Sequence, residues 1–303
     1  LYRAVKSKGI PILLDTPLES LIVENGRVSG VTARQHGRSL TIGARQAVVL
    51  ACGGFEQSQS LRDRYLPIPS ETRWSHSPRG ANEGDGLQAA TAIGASTEFM
   101  DHGWWAQSMQ LPSLKEPNQT NSYYMFVDKH HPHSLVVNQN GVRFVNESCS
   151  YDKFGQAMVG DYLATGGANA PCWLIFDSTY RKNYPAGGIM PSSMMPDKKI
   201  PHGWWDIFIF KADTIGELAG KLGMDAKVLE KQVAAMNDYA RSGKDEQFDR
   251  GGTRYEIVNA GDMRVKPNPC LGPIDKAPYY AVRIDLGDVG SKGGIRVSGD
   301  AQV

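Results

Sequence analysis

The first half of the chain reads as short strands punctuated by glycine turns. Residues 1–8 have helical character and are closed by Gly9. Ile10 to Leu14 and Leu18 to Val23 are brief apolar stretches, and Arg27 to Ala33 alternates apolar with polar side chains and is rich in β-branched residues. Asn25-Gly26 between them is a strong hairpin signal, because both residue types tolerate positive φ. A second turn at His36-Gly37-Arg38 leads into Leu40 to Ile42, completing a meander. Gln46 to Cys52 predicts a buried strand running directly into Gly53-Gly54. Phe55 to Tyr65 reads as helix ended by Pro67 and Pro69, and Gly86 to Ile93 as a small-residue helix ended by Gly94.

From Asp101 to about Asn121 the periodicity fades, which predicts a loop containing Trp, Pro and Asn. Strands follow at Ser134 to Val137 and Arg143 to Val145, joined by an Asn140-Gly141 turn. Thr214 to Leu222 and Ala226 to Ala240 are amphipathic helices separated by Gly223. The second places Val228, Leu229, Val233, Met236 and Tyr239 at helical spacing, a core-forming stripe. Pro267 to Pro273 predicts a loop, Tyr279 to Ile284 a strand, and Gly287 to Gly294 a second glycine-dense segment.

At 303 residues the chain accommodates two domains, or one large domain with an insertion. A net charge of +1 with no block of like charge argues against nucleic acid or an anionic membrane as the main partner. The apolar run Ala47 to Cys52 is too short to span a bilayer, and no integral membrane segment is expected. Cys52, Cys149, Cys172 and Cys270 are scattered without a CxxC pair, so neither a disulfide framework nor a metal site is expected. A reducing, cytoplasmic location follows from the same observation. The chain opens on Leu1 and stops in a strand-turn pattern, so it is expected to be the interior of a longer protein.

Three glycine clusters carry the candidate chemistry. A strand ending in Gly53-Gly54 lets backbone approach a ligand, or simply makes a tight turn. Asn82 to Gly86 precedes a helix whose free N–H groups can hold a phosphate or carbonyl, or Asp85 simply caps that helix. Gly287 to Gly294 is a further close approach or only a β-turn.

The series Val48 to Glu56, followed by Gly84-Asp85-Gly86, resembles the fumarate reductase and ketosteroid dehydrogenase superfamily of flavoproteins. Gly141 to Glu147 and Asp245 to Gly251 are similar to the same pattern. Pro267 to Gly272 and Gly287 to Gly294 resemble the ketosteroid dehydrogenase branch more narrowly. The resemblance implies an α/β Rossmann-like FAD-binding domain (residues 1–112 and 287–303) interrupted by an α+β substrate-capping domain (residues 113–286). It implies FAD as cofactor, with Leu18, Ala51, Cys52, Gly53, Gly54, Asn82, Gly84, Asp85, Gly86, Gly293 and Gly294 at the binding site. The family's GxGxxG unit would precede Leu1 and its carbonyl-polarising segment would follow Val303. The isolated chain is therefore expected neither to hold FAD tightly nor to turn over.

The implied reaction is dehydrogenation of a carbon–carbon bond next to a ketone in a 3-ketosteroid-like substrate. It needs a donor to polarise the carbonyl, a base for one proton and the flavin as hydride acceptor. The electron acceptor that reoxidises the flavin is not specified. Where the reductase branch carries a proton-delivering arginine, this sequence has Asn146 to Tyr151, and Tyr151 matches the dehydrogenase branch as the group removing a proton. An enoate reductase of the fumarate reductase kind, and a non-catalytic FAD-fold fragment, are the alternatives. Trp104, Trp105 and Tyr124 are candidates to line an apolar slot for a flat polycyclic ligand. Trp204-Trp205 reads as core, His130, His131 and His133 as a turn, and Arg143 with Glu147 as a structural ion pair.

Overall fold

The computed structural model describes residues 1–113 and 120–303. In chain order the elements are α1 (Tyr2–Ser7), β1 (Leu18–Glu24), β2 (Arg27–Gln35), β3 (Arg38–Gly43), α2 (Gln59–Tyr65), α3 (Asp85–Ala92), β4 (Thr97–Glu98), β5 (Gly103–Pro112), β6 (Thr120–Tyr124) and β7 (Ser134–Val137). They continue with α4 (Tyr151–Thr165), β8 (Cys172–Phe176), α5 (Ser178–Asn183), β9 (Ile209–Ala212), α6 (Ile215–Leu222), α7 (Ala226–Ser242), α8 (Arg254–Ala260), β10 (Tyr279–Ser291) and β11 (Gly294–Ile295). The chain divides into two units: Leu1–Tyr65, Ser77–His102 and Ser291–Val303 form the first, Leu66–His76 and Gly103–Gly290 the second. These divisions fall at 102/103 and 290/291, with a short excursion at 66–76, where the sequence suggested 112/113 and 286/287.

In the first unit β1, β2 and β3 form an antiparallel meander. Its hairpins turn where the sequence placed them, with φ of 51° and 75° at Asn25-Gly26 and 48° and 77° at His36-Gly37. The expected strands at Ile10–Leu14 and Gln46–Cys52 do not form. Val49 is 85% exposed, and among the described residues no backbone group of residues 47–54 pairs with a neighbouring strand. An apolar run becomes a strand only when another edge takes up its N–H and C=O groups. The helix expected from Phe55 is shortened to α2. α3 begins at Asp85, with Gly84 as its N-cap at φ 86°. Asp85 is exposed and makes no side-chain cap bond. The expectation that it caps the helix is therefore corrected: a left-handed N-cap residue is glycine's role here.

The second unit is built on a six-stranded sheet, order β6-β5-β10-β8-β7, with β9 also pairing β10. Residues 280–282 of β10 pair with both β8 and β9, so this segment lies between two neighbours. The period of two separates the side chains onto two faces. Val136, Cys172, Leu174, Phe176, Val282 and Ile284 join a core with Phe154 and Met158 of α4. Leu135, Val137, Ile175 and Ala281 join another with Leu218 of α6 and Leu229, Val233 and Met236 of α7. The expected amphipathic helices are α6, whose Thr214–Glu217 capping box starts it, and α7, capped by Asp225.

The loop expected over Asp101–Asn121 is instead largely β5 and the start of β6, with 114–119 outside the described residues. β5 is buried along most of its length, so its sequence lacks the alternation that marks a half-exposed strand. Arg143–Val145 is not a strand: the Arg143 N–H donates to the Gln232 side chain at 3.2 Å rather than to a neighbouring strand. Trp204 is 5% exposed and core-forming. Among the described residues no helix is long and apolar enough to cross a membrane.

Candidate functional site

The two units each contain part of the implied chemistry. In the first unit, Cys52, Gly53, Gly54, Gly86, Gly293 and Gly294 all line one cavity of about 90 Å³, together with Leu50, Phe55, Leu87 and Ile295. Its walls therefore come from three segments far apart in sequence, 50–55, 86–87 and 293–295. Among the described residues the backbone N–H groups of Cys52, Gly53 and Gly54 find no protein acceptor. Backbone N–H groups without a protein acceptor at a glycine turn are suited to oxygen-rich ligands. A glycine-lined cradle with free donors is compatible with a dinucleotide, whose phosphates and carbonyls accept hydrogen bonds.

The remaining expected cofactor residues sit elsewhere. Ala51 is exposed beside the cavity lining, and Asn82 packs its side chain under Gly53. Gly84 is buried against Leu61 and Phe55. Leu18 opens β1 opposite Ala33 and Asp85 opens α3; neither lines the cavity.

Glu56 was not singled out from the sequence, because a carboxylate following an apolar residue carries no periodic signal. It is 3% exposed and accepts from Ser77 Oγ at 2.6 Å, Asn82 Nδ2 at 2.6 Å, and the Ser291 N–H and Oγ, each at 3.1 Å. Burial opposes its ionisation, but these hydrogen bonds outweigh it and hold the carboxyl below its ordinary range. A Cβ added at Gly54 would lie 2.1 Å from Ser291 Oγ and 2.4 Å from Glu56 Oε2. Gly54→Ala should therefore displace this cluster, and the purified full-length protein should contain less flavin per polypeptide by visible absorbance.

In the second unit, Ser150 caps α4 by accepting from Lys153 N, which makes Tyr151 the first residue of a fifteen-residue helix. The Tyr151 ring stacks on Phe126 (4.6 Å, 29°), Phe126 meets Tyr124 (4.5 Å), and Tyr124 stacks on His76 (3.5 Å, 20°). Gln107 donates to the Tyr151 carbonyl at 2.8 Å. Desolvation, then Asp288 and Tyr151, raises the Tyr124 phenol, and burial lowers His76 to about 4, so that ring is neutral near pH 7. Tyr124 and Trp104 are each 44% exposed. Trp105 is 4% exposed and packs in the core against Gly155, so it lines no open slot. Successive residues of a strand face opposite ways, and the tryptophan pair is divided accordingly.

Behind the aromatic run lies a buried polar layer. Lys129 Nζ donates to Phe126 O at 3.1 Å and sits 2.6 Å from His130 Nε2. Burial lowers Lys129 to about 7 and His130 to about 2. His131 stacks on Tyr184, and His133 Nδ1 lies 2.7 Å from Pro273 O. Among the described residues no group of histidine, cysteine and carboxylate is arranged to hold a metal. The four cysteines are free thiols.

The expected Arg143–Glu147 pair is present, buried, at 2.7 Å. The sequence did not disclose its extension: Arg143 also binds Asp245 at 2.8 Å, and Arg250 lies 3.6 Å from Glu147. Arg250 donates to the carbonyls of Ser134, His130 and His131 at 2.7, 3.0 and 2.7 Å. The motifs at 141–147 and 245–251 thus meet at one charge cluster that also fixes the segment carrying Lys129 and His130.

The FAD binding domain family matches residues 1–303. The chain is 39% identical over 296 residues to a 3-oxosteroid 1-dehydrogenase of Mycobacterium tuberculosis, covering 95% of this chain and 50% of that protein. It is 34% identical over 281 residues to a 4-oxocyclohexanecarboxylate 2-dehydrogenase of Sinomonas cyclohexanicum, covering 92% and 46%. Among solved structures it is similar to a 3-ketosteroid delta1-dehydrogenase from Sterolibacterium denitrificans in complex with 1,4-androstadiene-3,17-dione. There the TM-score is 0.90 at 42% identity, over 100% of this chain and 53% of that one. The chain spans about half the length of the curated relatives it matches. With a match running from its first residue to its last, the chain belongs to the FAD binding domain family.

Proposed function

We infer that the protein containing this chain is a FAD-dependent dehydrogenase that introduces a double bond next to the carbonyl of a 3-ketosteroid or a similar cyclic ketone. The observation that carries the reading is Tyr151: a phenol at the head of α4, in an open run of aromatic rings, where an enoate reductase would present arginine. Relatives named for oxidising cyclic ketones agree with it.

Bound flavin would supply the hydride acceptor, and Cys52, Gly53, Gly54, Gly86, Gly293 and Gly294 would hold part of it. In this reading Leu66–His76 and Gly103–Gly290 form the substrate-capping domain. Tyr151 Oη, half-buried and within reach of solvent, takes the proton from the carbon next to the ketone as its own hydroxyl proton passes to water. The positive end of the α4 dipole favours negative charge there by about 0.3–1 kcal/mol. Tyr124 and Trp104 present apolar surface to a flat ligand. Free cysteines support a cytoplasmic location.

The test is steady-state reduction of an artificial electron-accepting dye by the purified, flavin-loaded full-length protein. Reduction is expected with a 3-ketosteroid and absent with the matching 3-hydroxysteroid. Equal rates with both, or none with either, would overturn the reading.

A further inference from the structure

We propose that Glu56 is a positioning residue for the cofactor: its carboxylate ties together the three chain segments that wall the glycine-lined cavity. The inference rests on the reading of that cavity as part of a FAD site.

Each wall reaches the carboxylate separately. The wall ending at Phe55 is continuous with Glu56 itself. The segment leading to Gly86 reaches Oε1 through Ser77 Oγ and Asn82 Nδ2. The segment leading to Gly293 reaches Oε2 through both the N–H and the hydroxyl of Ser291. The Ser291 hydroxyl has one proton, donated to Glu56, and its lone pair accepts from Phe55 N at 3.0 Å. The serine therefore closes a ring back onto the first wall. Asn82 does the same on the other side, accepting from Gln57 N at 3.1 Å through its carbonyl.

This arrangement reassigns the glycine pair. A Cβ at Gly54 would strike Ser291 and Glu56, and a Cβ at Gly53 would strike Asn82 Oδ1 at 2.1 Å. Both glycines are demanded by the cluster behind the turn as well as by any ligand in front of it. Gly53 also needs its left-handed conformation, at φ 78°.

A carboxylate is the group this position requires. Four donor contacts converge on two oxygens, and an amide would offer one acceptor while pointing its own N–H groups at donors. Glu56→Gln leaves at least one buried donor unpaired, which weakens the preformed wall without removing any atom facing the cavity.

The experiment uses the full-length protein stripped of flavin and titrated with FAD by flavin fluorescence, alongside thermal unfolding of the flavin-free form. For Glu56→Gln the dissociation constant for FAD should rise about tenfold or more, with flavin-free unfolding shifted by only a few degrees. Ser291→Ala, which keeps the carboxylate but cuts one tie, should give a smaller rise and serves if Glu56→Gln does not fold. Wild-type FAD affinity in the variant that folds, or a loss of flavin-free stability without loss of affinity, overturns the proposal. Failure of the wild-type protein to bind FAD would instead overturn the functional reading on which it rests.

Discussion

Tyr151→Phe is expected to lower turnover by about two to four orders of magnitude, the range supplied by a positioned general base. The flavin should stay bound and KM for the steroid should change little. The substitution keeps the ring that stacks on Phe126 at 4.6 Å and keeps the Gln107 bond, which is to the backbone. Only the hydroxyl is lost, so a fall in kcat with unchanged flavin content isolates its chemical role. Steady-state kinetics of the full-length enzyme check this, with flavin absorbance measured on the same sample. Unchanged turnover would remove Tyr151 from the mechanism.

Arg143→Met is expected to destabilise the fold by about 3–5 kcal/mol, measured by urea unfolding. Arg143 neutralises both Glu147 and Asp245 within 2.8 Å, and all three side chains are at most 1% exposed. Removing the cation strands two buried carboxylates, and the remaining Arg250 reaches Glu147 only at 3.6 Å. Burial opposes ionisation of both acids, but Arg143 holds both below their ordinary values. Their contribution to stability is therefore present above the unfolded carboxylate range and is lost as pH falls through the lowered native values. The wild-type protein should show this acid limb strongly, and Arg143→Met should show it weakened, because its carboxyl groups no longer gain by ionising. A loss below about 1 kcal/mol, typical of an exposed pair, would show that the cluster does not hold the fold.

The two effects are connected through the fold. Arg250, part of the same cluster, anchors the carbonyls at 130, 131 and 134, and Lys129 in that segment holds the Phe126 carbonyl. The charge cluster thus supports the ring against which Tyr151 stacks. A charge substitution there should depress activity as well as stability.

Local patterns were legible where short-range physics decides the outcome. Asn25-Gly26 and His36-Gly37 take the left-handed conformations their residue types permit, whatever surrounds them. α6 and α7 follow from apolar spacing and from the side-chain oxygens of Thr214 and Asp225 at their starts. The glycine segments at 52–54, 86 and 293–294 could be named as one candidate site through resemblance, and they line one cavity.

Long-range pairing decided the rest. In sequence β5 resembles a loop because a strand covered on both faces shows no alternation, and Gln46–Cys52 resembles a strand because apolar sequence does not reveal whether a partner edge is present. Asp245 lies 102 residues from Arg143, and Ser291 lies 235 from Glu56. No spacing rule connects residues so far apart; only the folded chain brings the donors to the acceptors. The sequence by itself determined the turns and the amphipathic helices. Tertiary structure alone decided that Trp105 is core, that Glu56 ties the cavity walls, and that Arg143 answers two acids, because burial and hydrogen-bond partnership belong to the packed chain.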